Sequence, residues 1–228
     1  MSIKTILFDL DDTILDFKKS EAAALTETML QLGLDPTPEL IAQYSAINDG
    51  LWKQLERSEV TREVLLVRRF EVLFAERGIM GHSGDEAQRI YEYQLSQQVY
   101  FIDGAVDLLE KLYREFDLYI VSNGTAVVQD SRIHKAGVEK YFKKIFISQR
   151  IGYNKPHNAF FERCFDQIPD LVPDETVIVG DSLSSDMAGG IAAGIRTCWY
   201  NPKEKPMPGN LKVDWIISDL SQLIEILK

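Results

Sequence analysis

Residues 3–10, Ile-Lys-Thr-Ile-Leu-Phe-Asp-Leu, form a short and nearly continuous apolar run that ends abruptly in acid. A run of that length without alternation reads as a strand buried on both faces, as strands of parallel sheets are. The pattern recurs at 118–122, 145–148, 176–181, 197–200 and 215–217. Between these runs lie stretches of helical character, at 104–115, 125–136, 156–168, 184–193 and 220–227. Strand and helix alternate at short intervals, which predicts an α/β fold built on a doubly wound parallel sheet.

Residues from about 17 to 99 break that rhythm, with no convincing strand and several segments of helical period. The spacing predicts helices over 19–32, 38–57, 62–77 and 85–98. Thr37 before Pro38 suits an N-cap and first-turn pair, Thr61 is a second candidate cap, and Gly33 and Gly78 stand where helix ends favour a left-handed residue. The expected organisation is therefore a core of residues 1–16 and 100–228, with a helical domain of residues 17–99 inserted after the first strand.

Composition narrows the function classes. The chain has 228 residues, 45% hydrophobic and 26% charged, which suits a globular protein. No apolar run approaches the roughly 18 residues of a membrane span, and the first residues are too short and too soon acidic for a signal peptide. A cytoplasmic location is the default expectation. Cys164 and Cys198 each sit in apolar stretches and read as buried free thiols. A formal charge of -10 argues against nucleic acid or an anionic membrane as partner, because both require a basic face. The same charge means that a phosphate substrate would have to be met locally by a metal ion or a lysine.

Ligands of open α/β sheets bind beyond the carboxyl ends of the strands, so the residues that follow each strand carry the candidate chemistry. The first strand delivers Asp9-Leu10-Asp11-Asp12-Thr13, the second Ser122-Asn123-Gly124, and the fourth Gly180-Asp181 with Asp186 five residues on. Lys155-Pro156 opens the helix before the fourth strand. Asp9 and Asp11 are two apart, so in extended backbone their carboxylates would crowd on one side, raising the pKa of one and leaving the other ionised. That suits an anionic nucleophile, Asp9, beside a protonated acid, Asp11, although an acid-rich turn is the plainer alternative. Asp9, Asp181 and Asp186 offer the oxygen ligands that Mg²⁺ prefers, whereas Asp186 could equally cap its helix with Ser184 or Ser185. Ser122, Asn123 and the N–H groups of Gly124 and Thr125, at a helix N-terminus, can hold an anion, and Lys155 supplies a full positive charge. Each group alone is ordinary. Their joint occurrence at successive strand ends is what points to phosphoryl chemistry.

These residues resemble the four motifs of the haloacid dehalogenase-like (HAD) hydrolase superfamily, matched by Asp9-Leu10-Asp11-Asp12-Thr13, Ser122 in Val-Ser-Asn-Gly, Lys155-Pro156, and Gly180-Asp181 with Asp186. The resemblance implies a Rossmann-like core, with the helical insertion as its cap. It also implies Asp9 as phosphorylated nucleophile, Asp11 as general acid/base, Ser122 and Lys155 as phosphate-binding, and Mg²⁺ held by Asp9, the backbone carbonyl of Asp11 and Asp181. The second aspartate, absent from true dehalogenases, implies phosphate esters rather than halides. Residues 8–17, 186–194 and Cys198-Trp199-Tyr200-Asn201-Pro202 are similar to the pyrimidine 5'-nucleotidase group, which implies nucleoside monophosphates as substrates.

Two other readings stay open: a sugar-phosphate or phosphoglycolate-type phosphatase or phosphomutase of the same superfamily, and a phosphoacceptor signalling module, which would not need so long an insertion. Residues 14–18 and 98–103 are the two connections and the expected hinge of a closing lid. Phe17, Trp52 and Tyr100 are candidates to stack on a base, and Lys18 or Arg62 to meet a sugar or phosphate. His82, His134 and His157 show no metal-binding spacing with cysteines, and the glycines at 189, 190 and 194 lack a dinucleotide fingerprint and read as close helix packing. A monomer or weak homodimer is expected.

Overall fold

A computed structural model describes residues 2–209 and 211–227. The chain divides into two compact units, one of Met1–Asp16 with Tyr100–Lys228 and one of Phe17–Val99.

The first unit is built on a six-stranded sheet in the order β3-β2-β1-β4-β5-β6. Its strands are β1 (Thr5–Phe8), β2 (Asp117–Ser122), β3 (Lys144–Ile147), β4 (Thr176–Gly180), β5 (Arg196–Tyr200) and β6 (Trp215–Ile217), and every pairing is parallel. Central strands must be apolar on both faces, and Ile6, Leu7 and Phe8 of β1 are accordingly buried, as are Leu118 to Val121 and Val177 to Val179 beside them. The order reverses between β1 and β4, which makes the carboxyl end of β1 the switch point where such sheets bind ligands. Register sets the site: Phe8 lies level with Ile120 and Val179, so the residues after β1, β2 and β4 emerge side by side.

The first strand is shorter than the sequence pattern predicts. Asp9 N–H still donates to the Val179 carbonyl at 2.9 Å, but the N–H groups of Ile14 and Leu15 then both turn back to the Leu10 carbonyl at 2.9 Å. The acid-rich segment is thereby folded into a tight loop off the sheet end, with Asp12 at φ 56°.

The helices of this unit are α5 (Ala105–Leu112), α6 (Ala126–Ala136), α7 (Ser148–Ile151), α8 (Asn158–Phe165), α9 (Ala188–Ala192) and α10 (Gln222–Ile226). One cluster packs Leu7, Tyr119, Val121, Phe146, Ile178 and Trp199 of the sheet against Phe160, Phe161 and Cys164 of α8. The single helix expected over 184–193 is split into a π-type turn over Leu183–Met187 followed by α9. Asp186 lies in that turn with its carboxylate buried, held by distant Lys155 and by the N–H of nearby Ser182. Wide turns of this kind concentrate at functional sites.

The second unit comprises α1 (Phe17–Gln31), α2 (Pro38–Glu56), α3 (Arg62–Arg77) and α4 (Gly84–Gln97). Thr37, Thr61 and Ser83 cap α2, α3 and α4 by accepting N–H bonds from Leu40, Val64 and Glu86, and Gly78, at φ 63°, closes α3. Helix α1 packs on α4, and α2 on α3. Tyr44, Phe70 and Tyr91 pack with tilted or edge-on rings, centroids 5.0 to 5.5 Å apart, around the buried Arg69. Arg69 donates to Asn48 Oδ1 at 2.8 Å and Gln88 Oε1 at 2.7 Å, while Asn48 and Ser45 donate to Glu21 at 2.8 and 2.6 Å. These buried polar groups satisfy one another, the condition under which a helical core tolerates them. No helix among the described residues is long and apolar enough to cross a membrane.

Candidate active site

Lys155 stands at the centre of the site. It is 1% exposed, and an ammonium has three hydrogens to donate. They go to Asp9 Oδ1 at 2.7 Å, the Val121 carbonyl at 2.7 Å and Asp186 Oδ1 at 2.6 Å. Three separated segments are tied to one nitrogen in this way: the end of β1, the end of β2 and the π-type turn after β4. Asp181 completes the group. One carboxylate oxygen from each of Asp9, Asp181 and Asp186 lies within 4.8 Å of the others. Trp199 of β5 donates its indole N–H to the Asp181 carbonyl at 2.9 Å, which fixes the backbone from which that carboxylate projects.

The electrostatics are unbalanced. Burial pushes the Asp9 carboxyl up to about 8, against the pull of Lys155 and with repulsion from Asp186 and Asp11 added. Burial likewise holds Asp181 well above the usual carboxylate range, helped by Asp9 and Asp186. Burial disfavours the Lys155 charge, but Asp186 and then Asp9 outweigh it and raise that group instead. Three carboxylates thus face one ammonium. With all three ionised, the local excess is two negative charges, and hard oxygen donors at this spacing fit a divalent ion such as Mg²⁺. Asp9, Asp181 and Asp186 are the side chains that would hold it.

Asp186 is not a helix cap, the alternative open from sequence. Ser182 fills that role by accepting the Ser185 N–H at 3.2 Å. Asp186 Oδ2 accepts the Ser182 N–H at 3.2 Å, while Oδ1 serves Lys155. Gly180 makes room for it: a Cβ there would stand 2.3 Å from Asp186 Oδ2 and 2.5 Å from its Cγ. Gly180→Ala is therefore expected to dislodge Asp186 from Lys155 and to cost about 1–3 kcal/mol, as overpacking does. A denaturant midpoint equal to that of the wild type would show that this cradle is not tight.

Asp11 lies apart from the three-carboxylate group. Asp9 and Asp11 are each held by a different cation, Lys155 and Arg132, yet Asp11 still adds to the raising of Asp9, as the i, i+2 spacing suggests. Arg132 Nη1 donates to Asp11 Oδ1 at 2.5 Å and Gln129 Nε2 to Oδ2 at 2.6 Å. The carboxyl that is raised is Asp9, and burial is the main cause, with Asp11 a lesser one. Any share of Asp11 in holding a metal would fall to its backbone carbonyl, as the sequence resemblance implies.

The turn after β2 is mostly spent on internal bonds. The buried Ser122 Oγ accepts from Gly124 N–H at 3.2 Å and Gln129 Nε2 at 2.8 Å, so its own hydrogen is the group it has to donate. Asn123 grips the Lys155 backbone at both ends, accepting its N–H at 2.8 Å and donating to its carbonyl at 2.9 Å. The Asn123 side chain therefore seats the lysine, whereas an anion-facing role is expected from its place in the turn.

Of the residues considered for the substrate's base or sugar, Arg62 is buried with its guanidinium 5.8 Å from the Trp52 ring centroid, and burial pulls its pKa down to about 10. Lys18 is exposed and 3.9 Å from Asp49. Phe17 begins α1, and Tyr100 is exposed at the start of the returning chain. Sequence reasoning missed Gln129 and Arg132. Their signal was a glutamine and an arginine set three apart in α6 directly beside the buried Val128 and Ile133.

A family model described as haloacid dehalogenase-like hydrolase matches residues 6–200. HAD-hydrolase YfnB of Bacillus subtilis is 39% identical over 224 residues, which cover 98% of this chain and 95% of that protein. Pyrimidine 5'-nucleotidase PynA of Streptococcus pneumoniae is 38% identical over 203 residues, 89% of this chain and 85% of that protein. Pyrimidine 5'-nucleotidase YjjG of Escherichia coli is 28% identical over 97% of this chain and 96% of its own length. A crystal structure of YfnB bound to magnesium matches with a TM-score of 0.95 at 38% identity, covering all of both chains. The match spans the sheet and the acidic strand ends alike, and this chain belongs to the haloacid dehalogenase-like hydrolases, where it resembles the pyrimidine 5'-nucleotidase group.

Proposed function

We propose that the protein is a Mg²⁺-dependent phosphomonoester hydrolase that works through a phospho-aspartate and acts on nucleoside 5'-monophosphates, pyrimidine ones foremost. The observation that carries the chemistry is the gathering of Asp9, Asp181 and Asp186 around one saturated lysine, with Asp11 held separately by Arg132 and Gln129. When bound, the divalent ion neutralises the approach of a carboxylate to a phosphate that is already anionic.

The remaining steps belong to the chain. An Asp9 carboxylate oxygen attacks phosphorus, the bond from phosphorus to the ester oxygen breaks, and that oxygen takes a proton from Asp11 and leaves as the nucleoside hydroxyl. Asp11, now ionised, accepts a proton from water as the water oxygen attacks the phosphorus of phospho-Asp9. The bond from phosphorus to the Asp9 oxygen then breaks, which returns Asp9 as carboxylate and releases inorganic phosphate. Ser122 donates its hydrogen to a phosphate oxygen, and Lys155 keeps positive charge at the reacting end of β1. To touch phosphate, Lys155 must exchange one of its three bonds, the Asp9 bond being the one that attack itself disrupts.

The substrate reading is supported by the names of PynA and YjjG. Its test is phosphate release across pyrimidine and purine nucleoside monophosphates, sugar phosphates and phosphoglycolate at saturating Mg²⁺. The expected result is a kcat/KM on pyrimidine nucleotides higher by about 10-fold or more, the scale on which a pocket discriminates by fit. Equal or better turnover of sugar phosphates would overturn the nucleotide assignment and leave the phosphatase chemistry standing.

A further inference from the structure

Asp11 is gripped through both carboxylate oxygens by two side chains of one helix. Gln129 and Arg132 are three apart on α6, hence on one face, and are 1% and 0% exposed. They are also bonded to each other, Arg132 Nη1 donating to Gln129 Oε1 at 3.0 Å. Gln129 Nε2 reaches Asp11 Oδ2 and Ser122 Oγ together, at 2.6 and 2.8 Å, and so links the carboxylate after β1 to the hydroxyl that ends β2. The neighbouring turn is shaped around this amide. A Cβ on Gly124 would fall 2.4 Å from Gln129 Nε2, so any larger residue there would unseat it. A buried guanidinium and amide cost more to place beside a sheet than aliphatic side chains would, and the network returns that cost only if a defined position of Asp11 matters.

We propose that Gln129 and Arg132 are positioning residues that set where the Asp11 carboxyl stands relative to the Ser122 hydroxyl, and so aim its proton at the leaving oxygen. This rests on the reading of Asp11 as proton donor. A proton donor matters in proportion to the basicity of the leaving group: a nucleoside alkoxide cannot depart without a proton, whereas p-nitrophenolate can. Loss of aim therefore penalises the nucleotide and spares the aryl ester. Loss of fold or of metal penalises both alike.

The test is kcat/KM, which reports the step up to formation of phospho-Asp9, measured for a nucleoside monophosphate and for p-nitrophenyl phosphate. The variants are Gln129→Met, Arg132→Met and Arg132→Lys, with Asp11→Asn as comparator. The ratio of the two substrates cancels any difference in folded fraction, so a poorly folding Arg132→Met leaves Gln129→Met and Arg132→Lys to decide. The expected result is a nucleotide-selective fall of about 100-fold, the scale of small misplacements in an active site, in the two methionine variants. Asp11→Asn should be at least as selective, and Arg132→Lys should recover part of the ratio. An equal fall on both substrates in Gln129→Met and Arg132→Lys, with Asp11→Asn still selective, overturns the positioning role alone. An unselective Asp11→Asn overturns the proton-donor reading and this inference with it.

Discussion

Asparagine in place of Asp9 is expected to leave the sheet standing and to lower turnover on the order of 10⁴-fold or more, the scale seen when an enzyme loses its nucleophile. The position explains both halves. Asp9 follows one of the two central strands and keeps its backbone bond to Val179, which asparagine retains, and an amide oxygen can still accept from Lys155. What asparagine lacks is an anionic oxygen able to bond to phosphorus. Burial already pushes the Asp9 carboxyl up to about 8, so its charge works against folding of the metal-free protein near neutrality. The neutral variant should therefore melt no lower than wild type when both are stripped of metal. Phosphate release and thermal midpoints, measured on the same preparations, check the two statements together, and turnover within 10-fold of wild type would remove Asp9 as nucleophile.

Removal of divalent metal is expected to abolish activity, and added Mg²⁺ to restore it, because three carboxylates against one ammonium leave the site unable to admit a phosphate anion. The same imbalance predicts a stability signature. The folded protein raises Asp9 and Asp181 above their unfolded values, so it retains protons that the unfolded chain has already released. Stability of the metal-free protein therefore falls as pH rises from the unfolded carboxylate range near ~4 toward the folded Asp9 value of about 8. Metal binding requires the deprotonated carboxylates, so stabilisation by Mg²⁺ grows over the same window and reaches about 2.7 kcal/mol at a hundredfold excess over Kd. Thermal midpoints in EDTA and in Mg²⁺ should diverge from pH 5 to pH 8. A gap that stays flat or narrows would contradict the charge imbalance, and activity untouched by EDTA would remove the metal.

The strands were legible because a parallel sheet writes burial on both faces as an uninterrupted apolar run, and each such run in the sequence became a strand within a residue or two. Caps carried the helix starts at Thr37 and Thr61, while Ser83 went unnoticed as a cap although it closes the same bond to Glu86. Two of the three glycines read as close packing lie where a side chain would not fit: a Cβ on Gly190 would stand 2.5 Å from Ile178 and one on Gly189 2.5 Å from Phe161, whereas Gly194 has open space around it and serves a backbone φ of 72° instead.

What stayed hidden was set by contacts across long separations. Lys155 looks like a surface lysine before proline until β2 and the turn after β4 close on it, and Asp186 looks like a cap until that lysine is found bonded to its buried carboxylate within a π-type turn. Asp9 and Asp11 could be paired by spacing, but the cation that holds Asp11 is Arg132, 121 residues further along, which local pattern does not reach. Arg62 and Trp52, singled out by residue type as ligand contacts, lie against each other.

The attack of Asp9 on phosphorus is tested most directly by trapping its product. Enzyme mixed with Mg²⁺ and a nucleoside monophosphate is quenched in acid within one turnover, digested and examined by mass spectrometry. The account predicts one added phosphoryl group on the peptide that contains Asp9, in proportion to the nucleoside released, lost on standing at neutral pH and absent from Asp9→Asn. Full release of nucleoside with no phosphorylated peptide, or with the phosphoryl group on another residue, would contradict it.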